Sequence, residues 1–278
     1  MMIIRPALNN VLFSSLFAFG LLAGCSSDPK KAETPEQLQR ATPVRTSAAP
    51  TPQQVPPAER ARMHTDLAAG YYERGQMDVA IDELNIAVKL EPNYAQAYNV
   101  YGLVYSVLGE DRKSEQNFER ALQLAPDDSE IHHNWGWYLC QHKREREALA
   151  QFDLAVRNPL YRSPEVALVN AGRCAITLGD MRLAEGYFRR ALVAQPGNAL
   201  AAYGLALIAY KEARLPEART WMKGVMQANN PPPESLYLGM CVERKLGDRQ
   251  AELSYISQMK NRYPDAPETK AIATEGCV

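Results

Sequence analysis

The sequence predicts an all-α, right-handed solenoid of about six helix-turn-helix hairpins, and three observations predict it. A pattern of small and apolar residues recurs every 34 residues from Ala61 to about residue 266. Across most copies, Gly or Ala at positions 8 and 20 and apolar residues at 4, 7, 11 and 24 fall on helical spacings. Proline at position 32 closes most copies, where it ends a helix. One such hairpin leaves an apolar face open, so the fold is stable only as a stack with its end capped.

The chain begins with an address. Residues 1–24 carry one basic residue, Arg5, ahead of an apolar stretch from Val11 to Ala23, the layout of a secretory signal peptide. No apolar run reaches the roughly 18 residues that span a bilayer. The end of the leader, Leu22-Ala23-Gly24-Cys25, resembles the bacterial lipobox, which makes Cys25 the lipidation site and the mature N-terminus. Each buried acyl methylene contributes about 0.8 kcal/mol, so two or three chains anchor effectively for good. Ser26 stands where Asp favours inner-membrane retention, which points to the outer membrane. Residues 25–57 are rich in Pro, Ser, Thr and Ala with almost no large apolar side chain, and read as a disordered tether.

Residues 58–278 hold the repeats, at about 61–94, 95–128, 129–164, 165–198, 199–232 and 233–266, with a cap at 267–278. The 34-residue helix-turn-helix period resembles the tetratricopeptide repeat (TPR). The first copy places Leu67, Tyr71, Ala80, Leu84, Ala87 and Pro92 at positions 7, 11, 20, 24, 27 and 32. The second supplies Gly102, Tyr105, Phe118, Ala121 and Pro126, and the third Gly136, Ala148, Phe152 and Ala155. After a two-residue insertion near Tyr161-Arg162 the fourth supplies Gly172, Ala184, Phe188, Ala191 and Pro196. In the fifth, Met222 and Val225 replace the aromatic and the alanine, and the helix-ending prolines move to Pro231–Pro233. In the sixth, Glu252 stands in the small-residue slot.

Composition and motifs remove most function classes. The chain is 46% apolar and 23% charged, enough to build a packed core. A net charge of -1 leaves no basic surplus for nucleic acid. There is no Gly-rich phosphate loop, no G-x-S-x-G and no H-E-x-x-H, so no catalytic residue, cofactor or small-molecule substrate is assigned. His132 and His133 near Cys140 invite a nucleophile-base reading, but His132 and Trp135 fall on positions that pack inside a hairpin. The cysteines have no zinc spacing, so no metal is expected. Beyond Cys25, four remain and permit three full pairings, or none if all stay reduced. Cys140 and Cys174, 34 apart on successive first helices, are the preferred pair, and Cys241 with Cys277 follows if the tail folds back.

What the stack offers is a concave groove lined by first-helix positions. Reading these off gives Tyr72, Asn99, Leu103, Ser106, His133, Asn134, Trp137, Asn170, Arg173, Tyr203, Leu207 and Tyr210. Amides can bond a peptide backbone while aromatic rings take its apolar side chains. The Lys and Asn pattern that clamps a C-terminal carboxylate is missing, since the first two copies show Thr65, Ala69 and Val100 in those slots. The stretch Asn134-Trp135-Gly136-Trp137-Tyr138-Leu139-Cys140-Gln141, then Asn158-Pro159-Leu160-Tyr161 and Asn170-Ala171-Gly172-Arg173-Cys174, goes beyond the general repeat. It resembles the type IV pilus biogenesis lipoproteins of the PilF/PilW family. That resemblance implies an outer-membrane, periplasm-facing pilotin whose partner is the pilus secretin. Two other readings stay open, a scaffold for another envelope machine and a periplasmic hydrolase.

Overall fold

The computed structural model describes residues 55–274 and Cys277. The leader, Cys25 and nearly all of the tether lie outside the described residues. Those described form thirteen α-helices and no strand. Twelve pair into six antiparallel hairpins: α1 (Pro57–Glu73) with α2 (Met77–Leu90), α3 (Ala95–Val107) with α4 (Asp111–Leu124), and α5 (Ser129–Gln141) with α6 (Glu145–Ala155). Then come α7 (Pro164–Leu178) with α8 (Met181–Ala194), α9 (Ala199–Lys211) with α10 (Leu215–Val225), and α11 (Pro233–Leu246) with α12 (Arg249–Arg262). Helix α13 (Pro267–Thr274) lies against α11 and α12. Each first helix also packs on the next first helix, which makes the stack a solenoid.

The repeat frame explains where each hairpin closes. Position 20 holds Ala80, Ser114, Ala148, Ala184 and Ala218, all at 0% exposure, so the two helices approach to backbone distance. Ser114 shows how close, because its hydroxyl donates to the Gly102 carbonyl at 2.7 Å. Opposite each aromatic at position 24 sits a glycine: a Cβ on Gly102 would lie 2.8 Å from the Phe118 ring, and one on Gly172 2.7 Å from Phe188. Where position 24 carries Leu84 or Met222, alanine suffices, as Ala68 and Ala206. Position 15, the turn between the two helices, takes a left-handed φ in all six copies. Gly75, Gly109, Gly179 and Gly247 do so without cost, while Lys143 (φ 61°) and Ala213 (φ 58°) do so against their Cβ.

The glutamate of the sixth copy is buried as the frame requires and kept charged by neighbours. Arg244 Nε and Arg249 Nη1 each donate to Glu252 at 2.8 Å, and these bonds hold its carboxyl below the usual carboxylate range. On the other helix of the same hairpin, buried Glu243 of α11 accepts from Arg219 on α10 and joins the last two hairpins.

Three expectations need correction. Helix α1 starts at Pro57, a residue assigned to the tether, because proline at the first helical position loses no hydrogen bond and presets φ. Leu67 does not fill a gap. It is 47% exposed, since position 7 packs on the second helix of the preceding copy, as Trp135 does on Phe118 at 5.2 Å between centroids, and no copy precedes the first. Pro231–Pro233 do not end the fifth copy's second helix. Helix α10 already stops at Val225, and Pro233 instead opens α11.

Candidate functional site

The first helices line one face of the stack, and the expected groove residues fall on five of them. Leu103 on α3 and Trp137 on α5 are half-buried against the central core, Tyr203 and Leu207 on α9 against the last, and Tyr72 on α1 against the first. Arg173 on α7 is exposed. Two residues are exceptions. Asn99 is only 3% exposed and Tyr210 5%, so neither lines an open groove. Asn99 is held between repeats, and the Tyr210 hydroxyl donates to the Cys277 carbonyl at 3.2 Å while Lys245 Nζ sits 4.2 Å from its ring centroid.

The middle of the groove is fastened by polar rungs between first helices. Asn134 Nδ2 donates to Asn99 Oδ1 at 3.2 Å, and Asn170 Nδ2 lies 2.9 Å from His133 Nε2. Both rungs join position 5 of one copy to position 6 of the next, at separations of 35 and 37 residues, one more than the local period. With Nε2 accepting from Asn170, the His133 proton sits on Nδ1, which donates to the Tyr161 hydroxyl at 3.0 Å. Burial lowers the His133 value to about 4, so the ring is neutral at ordinary pH. Taken singly, each of these residues falls on the groove, and only their spacing carries the Asn-to-Asn and His-to-Asn coupling. The signal was the period plus one.

His132 is different. It is buried, Nε2 donates to the Pro126 carbonyl at 2.8 Å, and Nδ1 lies 2.7 Å from the Gln151 amide. It is a satisfied core histidine that fixes the loop before α5. Cys140 is bonded to Cys174 across α5 and α7 (Cα–Cα 5.9 Å), and Cys241 to Cys277 (Cα–Cα 5.4 Å), so none of the four offers a thiol. Among the described residues no group of three or more His, Cys, Asp or Glu is placed to hold a metal ion.

Around the rungs the surface opens into a cavity of about 660 Å³ at the junction of the third and fourth hairpins. It lies between the start of α5, the start of α7 and the loop of residues 156–163 that carries the insertion. His133, Asn134 and Tyr161 contribute to its lining, with Leu160 and Val166 on one side. This surface can grip an extended chain through amides and apolar contact, and it contains no paired acid and base poised over a reacting atom.

Comparison with known proteins agrees with this architecture. Residues 65–129 and 169–231 match the tetratricopeptide repeat family model. The type IV pilus assembly protein PilF of Pseudomonas aeruginosa is 25% identical over 212 residues, 76% of this chain and 84% of that one. The structure of Pseudomonas aeruginosa PilF superposes with a TM-score of 0.71 and covers 79% of this chain and 99% of that one. The crystal structure of PilW, a widely conserved type IV pilus biogenesis factor, superposes with a TM-score of 0.70 at 30% identity, covering 77% of this chain and 98% of PilW. With hairpins matched along nearly the whole of both relatives, this chain belongs to the PilF/PilW family of tetratricopeptide-repeat proteins.

Proposed function

We propose that this chain is a non-catalytic scaffold of type IV pilus biogenesis that binds subunits of the outer-membrane secretin in its groove. In this reading, acyl chains on Cys25 hold it on the periplasmic face of the outer membrane and so bring the partner there. The observation that carries the reading is the likeness to PilF and PilW over 98% or more of their solved chains. The two disulfides suit an oxidising compartment. The groove, with half-buried Leu103, Trp137, Tyr203 and Leu207 beside amides, suits a peptide partner better than a small substrate.

The test is Cys25→Ala. Cys25 precedes the first helix by 32 residues, so the variant is expected to fold and melt as the parent does. It is expected to leave the membrane fraction, with loss of secretin multimers from the outer membrane. Unchanged multimers and surface pili in that strain would overturn the proposal.

A further inference from the structure

The cavity at the third and fourth hairpins has a charge imbalance that the fold does not need. Its lining holds three carboxylates, Asp127, Asp128 and Glu130, against one guanidinium, Arg162. Asp128 is occupied structurally: it caps α5 by accepting from the Glu130 and Ile131 amides at 3.0 and 3.1 Å, and it accepts from Gln96 at 2.9 Å. Asp127 and Glu130 make no ion pair with any described residue, although elsewhere the chain pairs its acids freely, as at Glu185, Glu243 and Glu252. Ser129, in the same lining and only 7% exposed, has the one buried side-chain polar atom among the described residues without a hydrogen-bond partner. Native interiors seldom leave such an atom unmatched.

The rim beside these acids is apolar. Leu160, in the insertion, is 85% exposed and Val166 43%. Leu200, 60% exposed, takes on α9 the repeat position that Val166 takes on α7, and those helices pack together. One exposed apolar side chain is ordinary, but Leu160 and Val166 at the cavity, continued one repeat on by Leu200, form a contact strip. The field over the cavity is negative. Glu130, Glu165 and Asp128 add to burial in pushing the Tyr161 hydroxyl up to about 12, and burial with Asp128 raises the Glu130 carboxyl above its usual range. Past Leu200 the neighbourhood of Tyr203 again carries two acids, Glu234 and Glu268, with Arg173 as its cation.

We propose that this cavity is a subsite for a lysine or arginine side chain of a partner segment, whose adjoining apolar residues lie on Leu160, Val166 and Leu200. The inference rests on the reading of the groove as the partner-binding surface and gives that partner a chemistry: an extended stretch alternating basic and apolar residues. The cation neutralises Asp127 and Glu130, and the backbone of the segment passes the Asn134 and Ser129 side.

Two fluorescein-labelled, capped dodecapeptides test it, one repeating Arg-Leu-Gln-Leu and the other Glu-Leu-Gln-Leu, bound to the full chain in detergent and read by anisotropy. The Arg peptide is expected to bind about tenfold more tightly near 0.1 M salt, with the advantage shrinking as salt rises. Asp127→Asn with Glu130→Gln should abolish the preference, and Leu160→Ser should weaken both peptides; thermal melts establish that each variant is folded. Equal binding of the two peptides by the parent, or an Arg preference that survives the double variant, overturns the subsite. Secretin capture in the same detergent separates the two proposals. Capture without any Arg preference sinks the subsite alone, whereas an Arg preference without capture supports the subsite and sinks the secretin assignment.

Discussion

Phe188 meets a glycine on each of two helices, and this makes Gly204→Ala the sharpest test of how the stack is held. A Cβ on Gly172, in the same hairpin, would lie 2.7 Å from Phe188 Cε1; one on Gly204, in the next, would lie 2.7 Å from Cδ2 and nearer still to Cζ and Cε2. The ring, 1% exposed, cannot retreat from one glycine without pressing on its surroundings. Overpacking of this kind costs typically 1–3 kcal/mol, and about 1 kcal/mol is returned by the helix propensity of alanine. Approaches of 2.7 Å and nearer put the cost at the upper end of that range, so a net loss of about 2 kcal/mol is expected, or about 4–8 °C in Tm for a domain of this size. Gly186→Ala is the control, because its Cβ would meet nothing within 4 Å, and it should raise Tm slightly. Thermal melts by circular dichroism read all three proteins. Adding Phe188→Leu should make Gly204→Ala nearly neutral, as a clash with that ring requires. If Gly204→Ala melts at or above the parent, or if its cost is unchanged without the ring, the close-approach account of the repeat fails.

Two further perturbations probe the groove and the turns. His133 has a folded value of about 4, below the roughly 6.5 of a free imidazole. As pH falls, the unfolded chain takes the proton first, so its contribution is complete above about 6.5 and is lost on acidification toward 4, by at most about 3 kcal/mol. Denaturant titrations from pH 7.5 to 4.5 should therefore fall more steeply for the parent than for His133→Gln, and equal slopes would contradict the buried neutral ring. Ala213 holds a left-handed φ of 58° at the position where four other copies have glycine. Ala213→Gly should relieve about 1–2 kcal/mol of backbone strain, offset by about 0.5–1 kcal/mol of unfolded-state entropy, and so raise Tm by about 2 °C; a lowered Tm would contradict it.

The helices were legible because their constraint is local and repeated. Ala80, Ser114, Ala148, Ala184 and Ala218 recur at one position because the two helices of those five hairpins approach too closely there for a larger side chain. What escaped was set by neighbours absent from the pattern. Leu67 obeys the repeat but lacks the preceding hairpin that buries position 7, and Asn99 sits on a groove position yet is consumed by Asn134. Pro231–Pro233 misled because proline is as much at home at a helix start as after its end, and only the seven-residue link from Met226 to Pro232 decides between them. The acidic cavity escaped because it is assembled from the end of the second copy, the start of the third, the insertion that ends the third and the start of the fourth.

In a solenoid each hairpin touches only its neighbours, so the shape of a groove is set interface by interface. The interface between the third and fourth hairpins is the one lengthened by an insertion, with α6, like α10, 11 residues long where α2, α4, α8 and α12 have 14. It is also the one closed by a disulfide inside the stack and by the His133–Asn170 rung. A bond between residues 34 apart removes about 3–4 kcal/mol of unfolded-chain freedom in the chain-entropy treatment. The fastening therefore falls at the longest connection between hairpins, the eight residues 156–163. Its consequence is geometric: α5 and α7 are held at one spacing, and the insertion that carries Leu160 projects from a fixed base. A partner segment that meets Trp137, Asn134 and the cavity beyond them meets a surface already in its bound arrangement, and little ordering free energy is lost on binding there.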